Sequence, residues 1–134
     1  MFSHTQQIRV RYGETDKMGY VYYGNYALYY EIGRVELLRS QGIEYSKLEK
    51  LNIGLPVIEY EIKFLKPAFY DDVITIETSI NQKPTSKITF TYQSFNEKNE
   101  LINRGKVTLV FINLKTGKPI KCPENINRLF NKTD

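Results

Sequence analysis

Along most of this chain hydrophobic and polar residues alternate with a period of two, and the pattern breaks in one long stretch near the N-terminus. Residues 7–12 set Ile8, Val10 and Tyr12 against Gln7, Arg9 and Arg11, the signature of a half-buried strand. From 22 to 41 the period becomes helical. Tyr26, Ala27, Tyr29, Tyr30, Ile32, Gly33, Leu37 and Leu38 cover more than one stripe, which predicts a helix enclosed by protein on most sides. At 1.5 Å per residue it would be roughly 27 to 30 Å long. Arg34 and Arg39 suit its negative C-terminal end, Gly42 is placed to cap it, and Gly33 would let a strand approach closely.

A short helical connector is expected over 45–51, followed by four alternating strands. The first sets Ile58, Tyr60, Ile62 and Phe64 against Glu59, Glu61 and Lys63, and Pro67 ends it because proline cannot donate to a ladder. The second covers 72–81, with Ile74, Ile76, Thr78 and Ile80 on one face. The third, 87–95, turns through a hairpin loop at 96–100 into a long final strand over 101–114. Pro123 is suited to open a short C-terminal helix reaching Asn131. One buried helix among antiparallel strands is an α+β arrangement, and 134 residues suffice for a single domain spanning 1–134.

Composition narrows the chemistry. Hydrophobic residues at 41% and charged residues at 25% argue against wholesale disorder. No apolar run approaches the roughly 18 residues of a membrane span, and the first residues lack a signal-peptide core, so a cytoplasmic protein without a membrane partner is expected. Cys122 is the only cysteine, which leaves no intrachain disulfide and too few thiolates for a cysteine-based metal site. His4, the only histidine, lies where a frayed terminus is expected, so serine–histidine or cysteine–histidine catalysis has no good partner. The net charge of +4 is spread along the chain without a basic run; it argues against nucleic acid and suits attraction of a small polyphosphate such as coenzyme A.

Asp16 stands out as an acid just ahead of a helix start, in a loop over 14–18 bracketed by Gly13 and Gly19. Aspartate favours turns and caps whatever the function. It also becomes chemically useful beside a helix N-terminus, whose unpaired N–H groups can hold developing negative charge. Glu31, inside the most apolar turns of the helix, is the rival acid, since burial raises a carboxyl pKa. Glu14, Asp71 and Asp72 read as loop residues.

The spacing of Tyr12, Thr15, Asp16, Gly19, Val21, Tyr22, Asn25, Tyr26, Tyr30, Glu31, Arg34, Glu36 and Arg39, with Pro67, Ala68, Asp71 and Asp72 further on, resembles the hotdog-fold thioesterases of the 4-hydroxybenzoyl-CoA thioesterase family, especially its short bacterial acyl-CoA thioesterases. The resemblance implies a hotdog fold, an antiparallel β-sheet wrapped around a long central helix. It implies homodimers or homotetramers with active sites between subunits, and hydrolysis of an acyl-CoA thioester. No metal and no cofactor are implied, because coenzyme A is part of the substrate.

Position by position, Asp16 matches the catalytic aspartate, acting as nucleophile or as base toward water, and Tyr23 the residue whose backbone N–H polarises the thioester carbonyl. The short acyl-CoA branch often carries histidine at the place of Tyr23 and the hydroxybenzoyl-CoA enzymes tyrosine; a backbone donor survives either. Tyr20, Tyr22, Gly24, Asn25 and Lys66 are the substrate-binding candidates. In a sister branch the catalytic carboxylate comes from the helix, which keeps Glu31 in view, although a structural Glu31 paired with Arg34 is favoured. The alternatives are a thioesterase acting on acyl carrier protein and a non-catalytic acyl-CoA-binding protein of the same fold.

Overall fold

The computed structural model describes residues 1–131. Strand β1 (Phe2–Arg9) starts five residues earlier than the alternation predicts and includes His4, which pairs opposite Thr78 instead of fraying. Its half-buried face carries Phe2, His4, Gln6 and Ile8; two polar members hid the period. The chain leaves the ladder after Val10 and enters a 3-10 turn (Tyr12–Glu14), so Tyr12 points to solvent at 78% exposure instead of continuing the strand face.

Helix α1 (Asn25–Ser40) starts three residues later than expected, because the Tyr22 N–H is committed to the Glu14 carbonyl and Asn25 closes a turn onto the Tyr22 carbonyl. Gly42 follows it with φ +84°, the left-handed geometry that ends many helices. Helix α2 (Tyr45–Lys50) leads to a short strand β2 (Ile53–Gly54) and then to β3 (Val57–Phe64), β4 (Val73–Ile80), β5 (Lys87–Phe95) and β6 (Leu101–Val110). The long final strand predicted over 101–114 is interrupted. Phe111 turns into the core, donates its N–H to Ser86, and β7 (Ile112–Asn113) pairs with β2 in a separate two-stranded sheet. Helix α3 (Glu124–Phe130) begins just after Pro123.

The main sheet has the order β1-β4-β5-β6-β3 with every neighbour antiparallel. Helix α1 lies against β1 and β4. Its Tyr29, Tyr30, Leu37 and Leu38 are buried in the same core as Ile74, Ile76, Phe90 and Tyr92 of the sheet. The Tyr30 and Tyr92 rings are parallel, with centroids 4.0 Å apart. At Gly33 the strand approach is real: an added Cβ would lie 2.3 Å from Thr78 Oγ1.

Two expectations about burial fail for one geometric reason: the sheet covers the helix from a single side. Ala27, Leu28 and Ile32 face outward, and so does Glu31, whose side chain is 57% exposed, while Arg34 is the buried charge of the helix at 6%. The two are 3.9 Å apart, an i,i+3 pair. Strand β3, read as half-buried through Ile58, Tyr60, Ile62 and Phe64, is an edge strand on which only Ile62 is half-covered; Ile58 and Phe64 are 50% and 47% exposed. Among the described residues no helix is long and apolar enough to cross a membrane.

Candidate active site at the start of the central helix

The loop that carries Asp16 is held as a small hairpin. Thr15 bridges Val21, the Asp16 N–H donates to the Tyr20 carbonyl at 2.8 Å, and the Gly19 N–H donates back to Asp16 at 3.0 Å. Gly19 takes φ +80°, a value that side chains resist; Gly13 lies in the 3-10 turn and needs no such freedom. Asp16 Oδ1 accepts the N–H groups of Met18 (2.9 Å) and Tyr20 (3.3 Å), and Oδ2 accepts none from a described residue. One carboxylate oxygen is thus anchored and the other is unengaged by the described residues.

The hairpin is tied down on both sides. Tyr20 bridges Phe69, and the Val21 N–H donates to the Ala68 carbonyl, so the 67–69 segment after β3 lies beside it. A cavity of about 290 Å³ opens where these parts meet, bordered by Asp16, Tyr20, Tyr23, Tyr26, Phe64 and Lys66, among others. Two larger grooves exist, about 580 Å³ on the open face of the sheet and about 710 Å³ beside β1, but neither contains Asp16. The smaller cavity is the one bordered both by Asp16 and by residues at the start of α1.

Tyr23 precedes the cap residue Gly24 and lies outside the helix proper. Its carbonyl takes the Tyr26 N–H at 3.3 Å, and neither its own N–H nor that of Gly24 donates to a described residue. Unpaired N–H groups at the positive end of a helix dipole are suited to a carbonyl oxygen gaining negative charge. Tyr26 lines the cavity with a phenol pushed up to about 12 by burial, so it stays neutral and protonated.

Of the residues singled out in the sequence, Asp16, Tyr20, Tyr23 and Lys66 meet at this cavity, whereas Tyr22, Gly24 and Asn25 are outside its wall. The Tyr22 ring packs on Tyr23 with centroids 4.5 Å apart and closes over Gly24, where a Cβ would approach it to 2.8 Å. The Asn25 side chain turns away and donates to the Glu14 carbonyl at 2.8 Å. Lys66 is ion-paired with Glu100 and holds that carboxyl below its ordinary pKa. Sequence reasoning passed over Phe64, Leu65 and Met18 as cavity residues, since nothing local marks two ends of different elements as neighbours. It also left Glu14 as a plain loop residue. Among the described residues no three histidine, cysteine, aspartate or glutamate side chains gather as metal ligands.

A five-stranded antiparallel sheet packed on one long helix, with an acid-bearing hairpin at the helix start, is the architecture of the hotdog thioesterases. The chain belongs to the Thioesterase-like superfamily, whose profile matches residues 10–130. It is 33% identical over 116 residues to YneP of Bacillus subtilis, covering 87% of this chain and 84% of that protein. To the acyl-CoA thioester hydrolase YbgC of Escherichia coli O157:H7 it is 30% identical over 119 residues, 89% of each. Among solved structures, a DHNA-CoA thioesterase from Staphylococcus aureus superposes with a TM-score of 0.88 at 35% identity, over 90% of this chain and 81% of that one.

Proposed function

We infer that this protein is an acyl-CoA thioesterase, a hydrolase that releases a carboxylic acid and free coenzyme A. The relatives with a named activity support the reaction class. The observation that supports this site is that Asp16, one of whose oxygens accepts no hydrogen bond from a described residue, and Tyr23, whose N–H donates to none, border one cavity. The thioester carbonyl is polarised by the Tyr23 N–H, with that of Gly24 beside it, and its carbon faces Asp16. Asp16 then attacks and expels the coenzyme A thiolate to form a mixed anhydride that water opens, or removes a proton from a water whose attack expels that thiolate. In either route the thiolate leaves as the C–S bond breaks and is protonated to free coenzyme A, and either needs the same unengaged Asp16 oxygen. Tyr20 and Tyr23 flank the acyl group, and the Tyr22 ring packs on Tyr23. Asn25 serves through the Glu14 carbonyl, and Lys66 offers a cation to the coenzyme A portion. No metal or further cofactor takes part.

The unit is a homodimer or a pair of dimers. Strand β3 supports this reading, as an unpaired edge with exposed Val57, Ile58, Tyr60 and Phe64 is a template for a second copy. Phe64 and Leu65, at the end of β3, border the cavity, so a partner strand would reach the site. The lone thiol Cys122 agrees with a cytoplasmic setting. Acyl carrier protein is the second carrier to test, since its acidic surface suits the net charge of +4.

Asp16→Asn is expected to lower kcat by at least about a hundredfold while fold and assembly persist, the usual scale for one group acting in proton transfer. Near-normal turnover would remove Asp16 from the mechanism. A thiol-release assay across short, long and aromatic acyl-CoAs, repeated with one acyl group on carrier protein, ranks the substrates.

A further inference from the structure

Glu14 accepts four hydrogen bonds, three of them from the far side of the Asp16 hairpin. Its carbonyl accepts the Tyr22 N–H and the Asn25 side-chain Nδ2, both at 2.8 Å. Its Oε1 accepts the Arg11 N–H, also at 2.8 Å, which closes the 3-10 turn locally. The same oxygen accepts the hydroxyl of Tyr29, fifteen residues on in the second turn of α1, at 2.8 Å.

Capping a three-residue turn requires only the Arg11 bond. The other three join the strand side of the hairpin to the helix. Asp16 lies two residues after Glu14, and Tyr23 lies between two of the anchors, Tyr22 and Asn25. Tyr29 is almost wholly buried against the core and edge-on to Tyr26, so its ring is a fixed point. Burial first, then the bond to Glu14 and the carboxylate charge, hold the Tyr29 phenol protonated and therefore a donor.

We propose that Glu14 is a positioning residue, which, through Tyr29 and Asn25, sets the placement of the Asp16 carboxylate relative to the first N–H groups of α1. The proposal rests on Asp16 being the catalytic acid. Catalysis by two groups on separate segments is sensitive to their spacing, and misplacement by about 1 Å can cost about a hundredfold. A hydrogen-bonded tie between those segments thus acts on kcat more than on substrate affinity.

The test compares Tyr29→Phe, Glu14→Ala and Glu14→Gln with Asp16→Asn in one steady-state assay, each variant scaled to folded protein by its melting curve. Tyr29→Phe keeps the ring and removes only the donor. It and Glu14→Ala are expected to lower kcat by at least about tenfold with KM within about twofold. Glu14→Gln retains an acceptor oxygen and is expected to restore kcat to within about threefold. The double variant Glu14→Ala/Tyr29→Phe is expected to be no slower than the worse single, as for residues acting as a unit.

Lower Tm with unchanged kcat per folded molecule in both Tyr29→Phe and Glu14→Ala would overturn the proposal and reduce Glu14 to a stabilising cap, while an inactive Asp16→Asn would leave the mechanism standing. A fully active Asp16→Asn would instead overturn the mechanism, and with it the target of the tie.

Discussion

Gly33 and Glu31 sit two residues apart on α1 and face opposite surroundings. A Cβ at Gly33 would meet Thr78 Oγ1 at 2.3 Å, and Thr78 is a short side chain on a buried strand with little room to yield. Gly33→Ala is therefore expected to destabilise by about 1–3 kcal/mol, the range for overpacking a close-packed core, read as a lower midpoint in urea. Glu31 faces solvent and lies outside the cavity that holds Asp16. Among the described residues its ionic neighbour is Arg34 at 3.9 Å. Glu31→Gln is expected to keep turnover within about twofold, since Glu31 lies outside the cavity and its contact with the buried Arg34 is a long one. A loss comparable with that of Asp16→Asn would move the catalytic acid onto the helix.

Strand β3 shows at the scale of an element how one stretch can serve two purposes. Its alternation of Ile58, Tyr60, Ile62 and Phe64 with Glu59, Glu61 and Lys63 specifies a strand, and pairing with β6 satisfies one edge. The described residues leave the other edge unpaired and most of the apolar side chains exposed. An apolar edge of this length invites pairing unless a partner covers it. Ile58→Glu puts a charge on that edge without touching the core, and is expected to convert the proposed dimer to monomer in sedimentation velocity. Activity should fall together with assembly, because Phe64 at the end of the same strand borders the cavity. An active monomer would separate the site from the interface.

Across the whole molecule the core is unusually phenolic. Tyr26, Tyr29, Tyr30 and Tyr92 are all buried, and burial is the leading cause that raises each of their pKa values, Tyr26 to about 12 and the others further. Their unfolded value is about 10. Each phenol therefore keeps its proton in the folded state at a pH where the unfolded chain has released it. Stability from this source is complete below about pH 10 and is lost as pH rises through the folded values. Urea unfolding between pH 9 and pH 12 is expected to report a fall of up to about 1.4 kcal/mol per pH unit for each such tyrosine, beginning near pH 10. Tyr30→Phe should make the fall shallower. It would also leave Asn103 Oδ1 without the 2.6 Å hydroxyl donor it has now, so the comparison rests on the slope and not on the absolute stability.

Local rules in the sequence determined the elements themselves. Period-two runs gave β3, β4 and β5 nearly to the residue and the start of β6, though not its end; Gly42 and Pro67 marked real stops, and the spacing of the Asp16 motif pointed to the family. Pattern failed where the chain's environment, rather than its own period, decides. The inner face of β1 is half polar and reads as coil until β4 lies beside it. Helix α1 looks enclosed because most of its residues are apolar or aromatic, yet a sheet packs on one side of a cylinder and leaves Leu28 and Ile32 outside. Strand order, the edge position of β3, and the meeting of Phe64 and Lys66 with Asp16 are long-range contacts, which no local spacing encodes. The helix start at Asn25 was decided in the same way: the Tyr22 N–H donates back to Glu14, which delays the start by three residues, and the N–H of Tyr23, a residue that borders the cavity with Asp16, donates to no described residue.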